Sequence, residues 1–173
     1  VLAERDRQIR ERAAEDTPLS AAFDEIIHRC DAMSEVLSLA RRVAQRNVPV
    51  LIEGERGTGK ELLARAIHAE SSRRKQPFVH VNCGTIPSDQ LERELFGCTQ
   101  SGGDGPPTAQ PGHFRAAHRG TLLLDEIDTV PPAVQVKLLQ VLRSGEFIPA
   151  GSHRPVPVDV RIIAATSRHL MSD

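Results

Sequence analysis

The stretch that most constrains this chain runs from Pro49 to Ile67. The apolar residues Val50-Leu51-Ile52 lead through Glu53 into the loop Gly54-Glu55-Arg56-Gly57-Thr58-Gly59, then Lys60 and Glu61. A helical apolar pattern of Leu62, Leu63, Ala66 and Ile67 follows at once. Strand, glycine-rich loop, lysine and helix in this order make a cradle for phosphate. The glycines let backbone N–H groups turn inward, and the helix N-terminus adds partial positive charge. Lys60 is then placed to reach the β- and γ-phosphates of a nucleotide as a point charge. The pattern G-x-x-x-x-G-K-[ST] is met except at its last position, where Glu61 replaces the hydroxyl that commonly meets Mg²⁺. An ordinary Gly-Thr-Gly turn is the alternative reading. The strand before the loop and the helix after it favour the phosphate loop.

A second motif strengthens that reading. Thr121-Leu122-Leu123-Leu124 is an apolar run that ends in the adjacent carboxylates Asp125 and Glu126. Buried on both faces, such a strand would deliver Asp125 to a Mg²⁺ ion beside the phosphates. Glu126 would orient and deprotonate the water that attacks the γ-phosphate. Taken alone the two acids also fit a plain turn; paired with the Lys60 loop they point to nucleotide hydrolysis.

The rest of the chain reads as alternating strands and helices. Asp31 is expected to cap a helix carrying Val36, Leu37, Leu39, Ala40 and Val43, which Asn47-Val48-Pro49 ends. After the Lys60 helix, Arg73-Arg74-Lys75 reads as its charged, solvated end. Phe78 to Val81 is a second strand, closed by Asn82, and Ser88 is expected to cap a helix through Leu91, Leu95 and Phe96. Gly97 to Gly112 is rich in glycine and proline and reads as an interruption, followed by a helical turn at Phe114 to His118. Pro131-Pro132 opens a helix with Val134, Leu138, Leu139, Val141 and Leu142 on its inner side. Phe147 to Val156 reads as a hairpin about Gly151-Ser152, and Val158 to Ala165 as a fourth central strand. The fold class is therefore α/β, a parallel sheet covered by helices on both faces.

Composition narrows the partners. With a net charge of −1 over 173 residues there is no bulk attraction to nucleic acid or membrane, so DNA contact would come through another domain. No Trp or Tyr is present to stack on bases, and no apolar run is long enough to span a bilayer. The cysteines Cys30, Cys83 and Cys98 and the seven histidines show no metal-ligand spacing, and a cytoplasmic location is the expectation. Residues 1–20, dense in alternating charge, read as a helical linker from an upstream domain, with a dimerising coiled coil as the alternative. Residues 21–173 read as the core of one domain. Starting at Val1 and stopping at Asp173, the chain is expected to be part of a longer protein.

Gly54 to Glu61, Glu94-Leu95-Phe96-Gly97, Thr121 to Ile127 and Val158 to Thr166 together resemble the AAA+ ATPase domain of sigma-54-dependent transcriptional activators, the bacterial enhancer-binding proteins. The Gly-Lys-Glu ending of the phosphate loop is a feature of that family. The resemblance implies a P-loop NTPase fold, use of ATP and Mg²⁺, and a hexameric ring of identical chains completed at each site by a neighbour's arginines. It places Asn82 where the family restrains its catalytic glutamate, and Ser167 where an asparagine senses the γ-phosphate. It also places the last strand, the helical lid and the arginine fingers beyond Asp173, which leaves Val50 to Glu53 as an exposed edge. Pro149 stands where the family often has arginine.

The resemblance fails at one functional loop. Family members carry Gly-Ala-Phe-Thr-Gly-Ala after Glu-Leu-Phe-Gly, and its Phe and Thr touch sigma-54. Here the corresponding residues are Ser101-Gly102-Gly103-Asp104-Gly105-Pro106, without an aromatic wedge, which counts against that contact. Two functions therefore stand: an ATP-hydrolysing module of a transcription regulator, and a nucleotide-gated regulatory module that no longer remodels sigma-54. A small-molecule kinase is a weaker third, because no phosphoryl-acceptor site is evident.

Overall fold

The structure is a computed structural model, and it describes residues 22–27, 29–100 and 108–169. The 1–20 linker, the Ser101 to Pro106 loop and His28 lie outside the described residues. In chain order the elements are α1 (Asp31–Ala44), β1 (Val50–Glu53), α2 (Lys60–Ala69), β2 (Phe78–Asn82), α3 (Ser88–Phe96), β3 (Cys98–Gln100), β4 (Thr108–Gln110), α4 (His113–Ala116), β5 (Thr121–Asp125), α5 (Pro132–Ser144), β6 (Glu146–Phe147), β7 (Val156–Pro157) and β8 (Arg161–Thr166). Short 3₁₀ turns follow β2 at Cys83–Thr85 and β5 at Ile127–Thr129.

The central sheet has the order β1-β8-β5-β2, and each neighbouring pair is parallel. Parallel pairing forces crossovers, and the helices of those crossovers cover both faces. Period-two alternation along the strands sorts their apolar residues between two cores. Val79, Val81, Leu122, Leu124 and Ile162 face α3, α4 and α5; Phe78, Leu123, Ile163 and Ala165 face α1 and α2. The first core is anchored by Phe96 stacked on Phe114 at 5.1 Å between ring centroids, with Phe147 tilted against both. As expected, β5 is buried on both faces from Thr121 to Leu124. The β6–β7 hairpin forms as the sequence suggests. Among the described residues β1 is an edge strand, and Leu51 is 48% exposed.

Several local expectations are corrected. Asp31 and Ser88 are the first helical residues rather than caps: Cys30 and Pro87 occupy the cap positions, and among the described residues neither makes a side-chain cap bond. The inner faces of the helices are narrower than their apolar content. Val36, Leu39, Leu62, Leu139 and Leu142 are exposed, because burial follows Leu37-Ala40-Ala44, Leu63-Ala66-Ile67 and Val134-Leu138-Val141. The fourth central strand starts at Arg161, not Val158. The preceding backbone is engaged elsewhere: Val158 N donates to Gly145 O, and Asp159 O accepts from Arg119 N. The glycine-rich interruption is bracketed by the antiparallel ribbon β3–β4, with Cys98 buried. Arg73 is not plain surface. Its guanidinium donates to the Gly120 and Asp159 carbonyls and pairs with the Asp159 carboxylate.

Candidate functional site

The register of the sheet brings three strand ends together. Glu53 lies opposite Thr166, and Leu124 opposite Ala164, so the loops after β1, β8 and β5 leave the sheet side by side. Parallel α/β sheets bind ligands in such a crevice at the carboxyl ends of their strands. Here the crevice is a cleft of ≈ 280 Å³ lined by Arg56, Gly57, Lys60, Asp125, Glu126 and Ser167. Residues from all three sequence segments singled out for phosphate chemistry therefore share one site.

The loop from Gly54 to Glu61 is tied back on itself. Gly54 N donates to Thr166 O, tying the loop to β8, and Thr58 Oγ1 donates to Glu55 O at 2.8 Å. Gly57 and Gly59 adopt φ of 80° and 85°, a left-handed conformation that residues with a side chain rarely adopt. Gly59 is also the cap residue of α2 and supplies no side-chain acceptor, which leaves first-turn N–H groups without a side-chain cap. Lys60 Nζ donates to the carbonyls of Gly54 and Glu55 at 2.7 and 2.8 Å, spanning the loop. Glu61 points elsewhere. Its carboxylate accepts from Arg65 Nε and Nη2 and lies 3.3 Å from His80 Nδ1.

On the opposite wall, Asp125 ends β5 and its Oδ1 accepts from Glu126 N at 2.9 Å. Its Oδ2 lies 4.0 Å from His80 Nε2, a buried nitrogen with no hydrogen-bond partner among the described residues. Glu126 takes φ 52°, a left-handed backbone on a residue with a side chain, which costs about 1–2 kcal/mol. Thr129 holds it there, its N and Oγ1 both donating to Glu126 O. Glu126 Oε1 accepts from Arg56 Nη2 at 2.9 Å. Glu126 Oε2 fills the space that a side chain at Gly84 would take. Asn82 meets the same turn, its Oδ1 accepting from Gly84 N at 2.9 Å. Cys83, between them, is buried; desolvation with the nearby Asp125 and Glu126 charges pushes its thiol up to about 12, so it stays protonated and inert.

Sequence reasoning missed a bridge behind the cleft. Thr166 Oγ1 donates to Asp128 Oδ1, and Arg168 Nε lies 3.3 Å from Asp128 Oδ2. Gly84 also escaped notice, and His80 read only as a strand residue without metal-ligand spacing. The alternation of β2 would have pointed His80 toward the Glu61 helix, but no local pattern marks Asp128 or Gly84.

The donor set suits a magnesium ion held jointly with phosphate. Among the described residues no group of three or more His, Cys, Asp or Glu side chains forms a metal cage. Mg²⁺ typically takes one or two carboxylates plus substrate phosphates, which Asp125 on the cleft wall fits.

Comparison with known proteins identifies the family and the fold. Residues 26–173 match the family model described as the sigma-54 interaction domain. The hydrogenase transcriptional regulatory protein HoxA of Bradyrhizobium diazoefficiens is 49% identical over 152 residues, covering 87% of this chain and 31% of that protein. The DNA-binding transcriptional regulator NtrC of Klebsiella pneumoniae is 44% identical over 155 residues, covering 90% and 33%. The chain thus spans about a third of the length of these relatives. Among solved structures, NtrX from Brucella abortus in complex with ATP superposes with a TM-score of 0.77 at 38% identity, covering 98% of this chain and 36% of that one. The P-loop NTPase domain of a sigma-54 transport activator from E. coli, at 20% identity and a TM-score of 0.57, covers 84% and 81% and speaks for the fold alone. A P-loop NTPase sheet, a phosphate loop facing an Asp-Glu pair and a family match over residues 26–173 place this chain in the sigma-54 interaction domain family.

Proposed function

We propose that the chain is the ATP-binding and ATP-hydrolysing core of a bacterial transcription regulator. The observation that carries this reading is the meeting of Lys60, Asp125 and Glu126 in one cleft at the carboxyl edge of the sheet. Lys60 and the backbone N–H groups after Gly57 bind and orient the phosphates, the loop residues Gly54 to Glu61 enclosing them. Asp125 would hold Mg²⁺, which when bound neutralises phosphate charge. Glu126, fixed in its left-handed turn, is aimed to orient and deprotonate the attacking water. Ser167, on the third wall, is short but able to hydrogen-bond a terminal phosphate. Asn82 is proposed to act on Glu126 through the Gly84 turn that both touch.

By family likeness the working unit is a ring of identical chains, whose neighbours supply arginines that stabilise transition-state charge. The chain alone is therefore expected to bind ATP and turn it over slowly. The test is ATP binding and hydrolysis with Lys60→Ala and Glu126→Gln. Binding that needs Lys60, and turnover that needs Glu126, support the reading; binding indifferent to Lys60 sinks it.

A second reading keeps the nucleotide as a ligand that switches the regulator without remodelling sigma-54. The composition of Ser101 to Pro106 favours it, since glycine and aspartate offer no apolar wedge. Trapping with ADP and aluminium fluoride, then asking whether purified sigma-54 is retained, separates the two. Among the described residues no helix is long and apolar enough to cross a bilayer.

A further inference from the structure

Arg56 and Lys60 both line the cleft, yet their side chains are committed differently. Lys60 is bound to its own loop through two carbonyls. Arg56 reaches across the cleft, and its Nη2 lies 2.9 Å from Glu126 Oε1. The two ends of that pair are unequal. The Arg56 side chain is 79% exposed, whereas that of Glu126 is 25% exposed. Glu126 is held further by Thr129 on its backbone and by the Gly84 turn against its second oxygen. Arg56 is thus the movable member and Glu126 the fixed one.

A guanidinium offers the same planar fork to a carboxylate and to a phosphate. An exposed ion pair is held only weakly. A terminal phosphate, carrying more charge than a carboxylate, competes well for the same fork. In a bound nucleotide that phosphate would lie between the Lys60 loop and Glu126, within the volume Arg56 now spans. A diphosphate lacks the group that would make the exchange. The geometry points to Arg56 as the residue that discriminates nucleoside triphosphate from diphosphate, trading the Glu126 carboxylate for the terminal phosphate and thereby freeing Glu126 Oε1 for water.

This inference rests on the nucleotide-site reading and adds a specificity-determining residue to it. The test is a set of dissociation constants for ATPγS and ADP, measured with Mg²⁺ on the full chain. The variants are Arg56→Ala, Arg56→Lys, Glu126→Gln and the Arg56→Ala/Glu126→Gln pair. Arg56→Ala should weaken ATPγS about tenfold and leave ADP nearly unchanged, as expected for one lost charge-assisted bond. Arg56→Lys, which keeps the charge without the fork, should restore only part of that preference. Glu126→Gln should tighten ATPγS by releasing Arg56, and this gain should shrink in the Arg56→Ala background, since only a coupled pair is non-additive. Equal losses for the two nucleotides, or the same Glu126→Gln gain in both backgrounds, would overturn the proposal while leaving the site reading intact. If the unaltered chain binds neither nucleotide, or binds them without Lys60, the site reading falls and the proposal falls with it. Arg56 is largely exposed, so misfolding is not expected, and far-ultraviolet circular dichroism of each variant checks it.

Discussion

Thr166 Oγ1 donates to Asp128 Oδ1 at 2.6 Å, joining the last residue of β8 to the turn that follows Glu126. Thr166 is fully buried, and its oxygen also accepts from Arg168 N. One side chain therefore couples the strand end that leads into Ser167 to the loop that aims the candidate water-activating group.

Asp128→Ala should destabilise the chain by about 1–3 kcal/mol, because it leaves a buried hydroxyl donor unpaired. Thr166→Val should have a cost of similar size. The two together should cost less than the sum of the singles, by about 0.5 kcal/mol or more. Urea denaturation of the four proteins measures this, and strict additivity would show that the contact is not formed in solution.

Lys60→Ala should weaken ATP binding by about 10- to 100-fold, the worth of one lost charge-assisted contact. Its stability should change little, since the Lys60 ammonium bonds to loop carbonyls rather than to the core. Isothermal titration calorimetry, paired with a thermal melt, separates lost binding from lost fold.

His68 predicts a pH dependence. It is buried, its Nδ1 lies 2.9 Å from Thr121 Oγ1, and burial lowers its pKa from 6.5 to about 4. The folded protein holds His68 neutral, while the unfolded chain takes up a proton below about 6.5. Stability from this residue is therefore full above pH 6.5 and falls as the pH drops towards 4, by a total on the order of 3 kcal/mol. Denaturant midpoints between pH 7 and pH 4 should show that loss, and His68→Gln should flatten it.

Gly84→Ala is expected to displace the Glu126 carboxylate, because the added methyl claims the space of Oε2. Turnover should fall by about 100-fold, the scale of a misplaced reacting group. Nucleotide binding should survive, since Gly84 does not line the phosphate side of the cleft. Equal turnover in both proteins would mean that Glu126 works from another rotamer.

Much of the architecture was legible because it follows from local patterns. The glycines before Lys60, the apolar run into Asp125 and the alternation of strand and helix each announce themselves within a dozen residues. What escaped depends on contacts between distant segments. Arg73 looked like the middle of a surface charge cluster until the fold set Asp159 beside it. Leu139 and Leu142 looked buried because apolar density alone does not reveal how wide a face the sheet covers. Asp31 and Ser88 have the chemistry of caps, but each helix begins one residue earlier than a cap reading allows. Arg161 read as part of a plain strand. Its buried guanidinium instead donates to Val43 O and Ala44 O, closing the end of α1.

The strand order carries a consequence for synthesis. Among the described residues β1, which leads into the phosphate loop, pairs with β8 alone, Val50 opposite Ile163. On the ribosome the loop would thus emerge long before the strand that seats it. Domains generally fold as units, and such distant parallel pairing closes slowly. The nascent chain should acquire its nucleotide affinity late and in one step, once β8 has cleared the exit tunnel.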